Sequence, residues 1–230
     1  MSASTVERIK IWVAVKLGWA LPGRMLEAIR GFQATEADGV WHLHRSYQGL
    51  TDPRHRSIVF THSLEEESHA DEFARVYKQS SEYGLSPVRY ERRTLYERDA
   101  PAWKSFAYVH VGEVDATDRF KAIRANLNEG PLRAALETII DDEEGHIDLT
   151  HDILLEMGAK PREIRRELRR VRLARAWENW LRVGTRMADW VITLQLGLIY
   201  YLVGPFVFLL ARKKLRSVTV EYDNNHLKQM

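Results

Sequence analysis

Cysteine is absent from the sequence, and so is any strong excess of charge of one sign. A chain without cysteine has no disulfide framework, no thiolate zinc site and no Cys-x-x-Cys iron centre. Any metal bound here must therefore be held by oxygen and by imidazole nitrogen. The formal net charge of +2 over 230 residues is too small to indicate nucleic-acid binding, so we expect no nucleic-acid partner.

The alternation of apolar and polar residues that is typical of β-strands is also lacking, whereas signals for helix starts and ends are clear. Asp52-Pro53 and Gly130-Pro131 each place a proline at the first position of a helix. We predict an all-α protein with four long helices, at about residues 24–50, 53–84, 101–129 and 131–157. Residues 85–100 form a longer polar link that is able to cross the bundle.

One constellation occurs twice in these helices: a glutamate and then, thirty positions later, a Glu-x-x-His. The two copies are Glu36 with Glu66 and His69, and Glu113 with Glu143 and His146. Residues three apart on a helix share a face, so each Glu-x-x-His presents one carboxylate and one imidazole to the bundle axis. Two helical hairpins with matching ligand sets are typical of a carboxylate-bridged two-metal site.

Four carboxylates and two imidazoles can hold two divalent metals and leave open positions for dioxygen or peroxide. We expect two iron ions, with manganese as the alternative. Glu36 lies between Phe32 and Val40 on an apolar stripe, where a carboxylate without a partner is costly. Glu65 and Asp142 precede the ligand pairs, and we predict that each accepts the free ring N–H of the histidine on the opposite helix.

Two further histidines, His62 and His110, lie about one turn from Glu66 and Glu113. Such positions allow a histidine to donate protons or to bind metal as an extra ligand. We interpret both as ordinary helix histidines, and the remaining histidines as surface or packing residues.

The two ends of the chain indicate membrane association. Residues 190–211 form a hydrophobic run that is long enough to span a bilayer, and basic residues flank both of its ends. Gly204-Pro205 could instead bend the run into a re-entrant hairpin, and burial in a core or in a dimer is the third alternative. The preceding segment, residues 161–185, is a helix rich in arginine that suits an anionic membrane surface. Residues 6–21 indicate either an interfacial helix or a cap on the bundle.

The repeated constellation resembles the ligand pattern of the ferritin-like diiron carboxylate proteins, which include rubrerythrins, aldehyde-deformylating oxygenases and membrane-associated demethoxyubiquinone hydroxylases. The resemblance covers about residues 24–157, and residues 141–148, DDEEGHID, are similar to the last metal-binding helix of the quinone hydroxylases. It implies a ferritin-like antiparallel four-helix bundle with one crossover. The implied roles are bridging for Glu66 and Glu143, terminal or bridging for Glu36 and Glu113, and one iron each for His69 and His146.

We therefore expect a membrane-associated diiron oxidoreductase, in which a monooxygenase or oxidase reaction uses dioxygen, a lipophilic small molecule and an external reductase. A peroxide reductase or ferroxidase and a non-catalytic membrane protein stapled by metal are the alternatives. We expect the protein to contact membrane lipids and its diiron domain to lie on the cytosolic side of the membrane. A homodimer is compatible with the sequence. The predicted domains are an amphipathic helix at 1–22, the diiron domain at 23–160, a basic helix at 161–188, a transmembrane or re-entrant segment at 189–212 and a polar tail at 213–230.

Overall fold

A computed structural model describes residues 5–81, 88, 90–92, 95–96, 100–157 and 159–212. These residues contain six α-helices and no strand, so the prediction of an all-α protein is confirmed for this part of the chain. The helices are α1 (Thr5–Val13), α2 (Arg24–Tyr47), α3 (Pro53–Ser80), α4 (Ala102–Arg124), α5 (Pro131–Glu156) and α6 (Pro161–Leu198). The polar tail at 213–230, Gly84, Gly158 and most of the link at 85–100 lie outside the described residues.

The predicted helix starts agree with the structure, while three predicted ends, those of α2, α3 and α4, are three to five residues too late. Asp52 caps α3, because its Oδ1 accepts a hydrogen bond of 2.8 Å from the backbone N–H of Arg54. Helix α4 ends at Arg124 rather than near residue 129. The Asn126 side chain donates a 2.8 Å hydrogen bond to the carbonyl of Ala122, which satisfies a terminal carbonyl and favours a stop there.

The four long helices pack in a ring of contacts, in which α2 contacts α3 and α4, and α5 contacts the same two helices. Two apolar clusters fill the space between them. The first cluster includes Ile29, Phe32, Phe73, Phe120, Leu136 and Ile139. The second cluster includes Leu43, Val59, Phe106, Ile153 and Leu154. In each of the four helices, the predicted metal ligands lie along the sequence between residues of the first cluster and residues of the second.

The N-terminal helix contacts α4 and has one buried and one exposed side. Ile11 and Val15, the latter in a π-helical turn that follows α1, are buried members of the first apolar cluster. Trp12 and Leu17 are about half exposed on the other side, at 49% and 61%. This segment therefore packs on the helices through one side, as a cap does, and leaves an apolar side in solvent.

The chain divides into two units, Met1–Leu173 and Ala174–Met230. In the second unit the helical backbone continues from α6 through a π-helical turn, Ile199–Val203, and on to Arg212. Gly204 has helical dihedral angles of −54° and −49°, so the structure has helix where a re-entrant hairpin requires a turn. This part of the chain is long and apolar enough to cross a membrane, with a mean hydropathy of 1.9 over 18 residues, none of which is buried.

Candidate metal centre

All six sequence-predicted ligands are buried side chains of the four long helices. Their exposed fractions are 3% for Glu36, 2% for Glu66, 4% for His69, 7% for Glu113, 0% for Glu143 and 4% for His146. Spacing explains this, because residues three apart on a helix point to one side, and each pair lies between stretches that pack in the two apolar clusters. The result is a layer of ionisable groups inside an otherwise apolar core.

The six predicted ligands and His62 form two groups, and within each group the candidate ligand atoms all lie within 4.8 Å of one another. One group consists of His62, Glu66, Glu113 and His146, and the other consists of Glu36, Glu66, His69 and Glu143. Glu66 belongs to both groups, as a carboxylate that bridges two metal ions does. The family resemblance implies bridging roles for both Glu66 and Glu143, and among the described residues Glu66 is the one that both groups contain.

His62 is the site residue that the sequence interpretation missed. We interpreted it as an ordinary helix histidine, but its Nε2 lies 3.2 Å from Glu66 Oε1 and 3.6 Å from Glu113 Oε1. The missed signal is its spacing, since a residue four positions before Glu66 lies on the same face of α3. His62, Glu66 and His69 thus form one stripe along that helix.

The two predicted cross-helix hydrogen bonds to the histidines are present. Nε2 of His69 lies 3.2 Å from Oδ2 of Asp142, and Nε2 of His146 lies 2.9 Å from Oε2 of Glu65. A carboxylate that accepts the Nε2–H of each ring orients the ring and directs Nδ1 to the interior, where Nδ1 can bind metal once it has lost its proton. Both Nδ1 atoms face site carboxylates, at 3.4 Å from Glu143 for His69 and at 3.2 Å from Glu66 for His146.

Within the two groups, five buried carboxylate or imidazole atoms have no hydrogen-bond partner among the described residues. They are Glu36 Oε1, His69 Nδ1, Glu143 Oε1, Glu143 Oε2 and His146 Nδ1. Buried polar atoms are nearly always paired, because desolvation without a partner costs about 1–3 kcal/mol for each group. All five belong to the two groups described above, so these residues fit a metal ion, which would satisfy them together.

The pKa shifts of the site carboxylates also favour a bound metal ion. Burial raises the pKa of Glu36 well above its ordinary value, and the negative charges of Glu66 and Glu143 raise it further. Burial also acts to raise the pKa of Glu66, but its close contacts with His146 and His62 outweigh burial and lower that pKa. The carboxylates therefore need positive charge beside them, which a metal ion supplies.

In the metal-free protein, His69 and His146 supply part of that positive charge. Burial lowers the pKa of His146, but its contacts with Glu66, Glu143 and Glu65 raise it to about 9. Burial likewise lowers the pKa of His69, and its contacts with Glu143, Glu66 and Asp142 raise it above the ordinary value. A histidine binds metal only when it has lost the proton from the binding nitrogen, so metal binding here releases protons.

The backbone of α2 leaves room for the shared carboxylate at Gly39. A Cβ atom at this position would lie only 2.9 Å from Oε2 of Glu66. A side chain at residue 39 would therefore displace the carboxylate that both groups share. The sequence did not single out Gly39, because the close approach joins two different helices.

The other histidines that the structure describes lie outside the two groups. Nδ1 of His110 lies 3.0 Å from Oγ1 of Thr150, and burial lowers the pKa of His110 to about 4, with the nearby His151 and Arg172 adding to the shift. His55 is buried near the start of α3, away from the candidate ligands, and its Nε2 lies 2.7 Å from Oε2 of Glu156. The interpretation of His110 as an ordinary helix histidine, and of His55 as a surface or packing residue, agrees with these contacts.

Comparison with protein-family models, with curated proteins and with solved structures finds no match for this chain.

Replacing Glu65 by glutamine and Asp142 by asparagine tests the cross-helix contacts. Each change keeps the size of the side chain and removes the charge that orients a ring, so we expect metal affinity to fall about tenfold, the low end of such effects. The low end is expected because both side chains are about half exposed, at 48% and 53%. Isothermal titration of the metal-free protein measures the loss. Equal affinities in wild type and both variants would contradict an orienting role.

Proposed function

We propose that this protein is a membrane-anchored non-haem diiron oxidoreductase that uses dioxygen to oxidise a lipophilic substrate. The observation that carries the proposal is the pair of buried ligand groups that share Glu66. A ligand set of carboxylates and imidazoles without thiolate is the type that holds iron or manganese for oxygen chemistry. The unpartnered ligand atoms and the mutual repulsion of the carboxylates favour occupation by metal.

The order of the apolar clusters supports a ferritin-like four-helix bundle with one crossover. Residues of the first cluster precede the ligands in α2 and α5 and follow them in α3 and α4. Helices α2 and α5 then run in one direction, and α3 and α4 run in the other. Because α3 and α4 are parallel and consecutive, the chain between them has to cross the length of the bundle.

The residues of the site have defined tasks in the proposed reaction. Two ferrous ions would supply the capacity to reduce dioxygen, and hydroxylation of a C–H bond consumes one O₂, two further electrons and two protons to give one alcohol and one water. Glu66 would contribute a ligand to both metal positions, while Glu65 and Asp142 keep the histidine rings in place. Phe32, Phe73 and Phe120 pack with ring centroids 5.4–5.6 Å apart in the first cluster and exclude water from that side.

The two further electrons have to come from another protein or a soluble donor. The chain has no cysteine and so has no built-in iron–sulfur or rubredoxin-type centre. We propose an external reductase as the partner. A membrane anchor would hold the enzyme where lipophilic substrates are concentrated, and we propose that the diiron domain faces the cytosol, where reduced donors are available.

Anaerobic purification in detergent, metal analysis and exposure to oxygen test this function. We expect about two irons per chain, and a Mössbauer spectrum that changes from diferrous to diferric when oxygen is added. Consumption of oxygen should depend on an added reductant. A protein that contains no iron, or that contains one zinc, would contradict the proposal.

Ending the chain after Leu173 tests the membrane anchor. The remaining unit keeps all the site residues and loses the apolar helical segment that follows. We expect this shortened protein to stay in solution without detergent, to keep its helical circular dichroism and to bind metal as the full chain does, while the full chain sediments with membranes. Aggregation of the shortened protein, or full-length protein that is soluble without detergent, would argue against an anchor.

A further inference from the structure

The two ligand groups differ in composition. The group with His62 and His146 contains two imidazoles, and the group with His69 contains one imidazole and three carboxylates. This difference depends on His62, because without it each group would contain a single imidazole. What His62 does at the site therefore decides whether the two metal positions are alike.

The Nε2 atom of His62 is buried and lies close to two carboxylates, as a metal-binding nitrogen does. Its side chain is 1% exposed, and its Nε2 is 3.2 Å from Glu66 Oε1 and 3.6 Å from Glu113 Oε1. Ligand atoms that share one metal ion at bonds of about 2.1 Å are separated by about 3.0–3.4 Å in octahedral or tetrahedral geometry. The observed distances of 3.2 and 3.6 Å are close to this range.

The His146 ring strengthens this conclusion. The centroids of the His62 and His146 rings are 3.8 Å apart, and their planes are inclined by 36°. Nδ1 of His146 is 3.2 Å from the same Glu66 Oε1 that faces His62. Two imidazoles from α3 and α5 thus converge on one carboxylate oxygen, next to Glu113 from α4.

We propose that His62 is a direct metal ligand and that it makes the two metal positions chemically unequal. This inference rests on the proposed dinuclear site. The first position, with His62, His146, Glu66 and Glu113, prefers metals with affinity for imidazole, such as Co²⁺ and Zn²⁺. The second, with Glu36, Glu66, His69 and Glu143, suits harder ions such as Mn²⁺. The metals therefore bind in sequence, and the first position fills before the second when Co²⁺ is added.

Titration of the metal-free full-length protein in detergent with Co²⁺ alone tests the proposal. Absorption spectra measure the binding steps, and paramagnetic proton NMR counts the exchangeable imidazole N–H signals of the coordinated histidines. We expect two separate steps, two such signals after the first equivalent and three after the second. This count needs no variant and so does not depend on the folding of a mutant.

The variant His62→Gln and its matched control His55→Gln complete the experiment. Both residues are buried histidines of α3, but His55 pairs with Glu156 outside the site. We expect His62→Gln to lose one N–H signal and to weaken the first step about 100-fold, whereas His55→Gln should keep three signals and both affinities.

Two outcomes would overturn the proposal in distinguishable ways. Two N–H signals in the wild-type protein with two bound Co²⁺, together with unchanged affinities in His62→Gln, would place His62 outside the coordination sphere and leave the proposed function intact. A wild-type protein that binds fewer than two Co²⁺ would contradict the dinuclear site itself, and the inference would fail with it.

Discussion

Replacing Glu66 by glutamine is expected to abolish metal binding at both positions and, with it, oxygen consumption. Glu66 is the only residue common to the two ligand groups formed by the described residues, so its loss removes a ligand from each metal ion. An amide has nearly the shape of a carboxylate, but it is neutral and coordinates metal weakly. We expect affinity to fall at least about 100-fold at both positions, more than for residues that only orient a ligand.

The neighbouring Glu67 provides a matched control for this change. It belongs to the same helix, carries the same side chain and is exposed, so Glu67→Gln should leave metal content and oxygen consumption unchanged. Metal analysis, oxygen uptake and thermal unfolding are measured for both variants and for the metal-free wild type. The lowered pKa of Glu66 means that its contacts with His146 and His62 stabilise the charged carboxylate in the fold, so the metal-free variant should unfold at a lower temperature than the metal-free wild type. The difference between the two metal-free proteins is then subtracted from any effect of the missing metal.

These measurements also separate catalysis from a structural role of the metal. If the metal only cross-links helices, then with metal present Glu66→Gln unfolds at a lower temperature than the wild type, and the wild type consumes no oxygen above background. If the site is catalytic, oxygen uptake by the wild type disappears in the variant. Full metal content and activity in Glu66→Gln would contradict the diiron assignment. His146→Ala should also lose oxygen uptake, because it removes an imidazole that the first position requires.

Replacing Gly39 by alanine is expected to weaken metal binding about 100-fold, although alanine favours helix formation by about 1 kcal/mol relative to glycine. The new methyl group would lie 2.9 Å from Oε2 of Glu66 and would force that carboxylate to move. Since Glu66 belongs to both ligand groups, even a small displacement would disturb both proposed metal positions. The variant therefore combines an undamaged or more stable metal-free fold with a poorer site.

Gly31 offers the control, because it lies in the same helix and a Cβ there would meet nothing within 4 Å. Gly31→Ala should raise the free energy of unfolding by roughly 0.5–1 kcal/mol and leave metal affinity unchanged. Denaturant unfolding of the metal-free proteins and metal titration measure the two effects separately. Equal metal affinities in Gly39→Ala and Gly31→Ala would show that the approach of Gly39 to Glu66 is unimportant for the site.

The helices were accessible to sequence reasoning because their signals are local. Asp52-Pro53 and Gly130-Pro131 mark the starts of α3 and α5, and both starts agree with the structure. The ends were less accessible. Helix α2 stops at Tyr47, and after a turn Leu50 packs in the second apolar cluster, so a tertiary contact favours an end earlier than the local sequence indicates.

The same distinction holds in the metal centre. The spacing of Glu-x-x-His predicts that a carboxylate and an imidazole share a helix face, and the repeat predicts that two such faces meet. The structure brings all six predicted residues into the two groups. His62 was undervalued because a histidine one turn from a glutamate is common in helices, and its value depends on Glu113 and His146, which come from other helices.

The helical class, the apolar segment near the C-terminus and the six Glu and His residues proposed as ligands can all be predicted from the sequence, because each depends on composition or on spacing within one helix. The packing of the helices was needed to show that both described groups contain Glu66, that His62 joins one of them and that Gly39 leaves space for the shared carboxylate. The physical reason is that these features depend on distances of about 3 Å between side chains of different helices, which are set by the packing of the whole core.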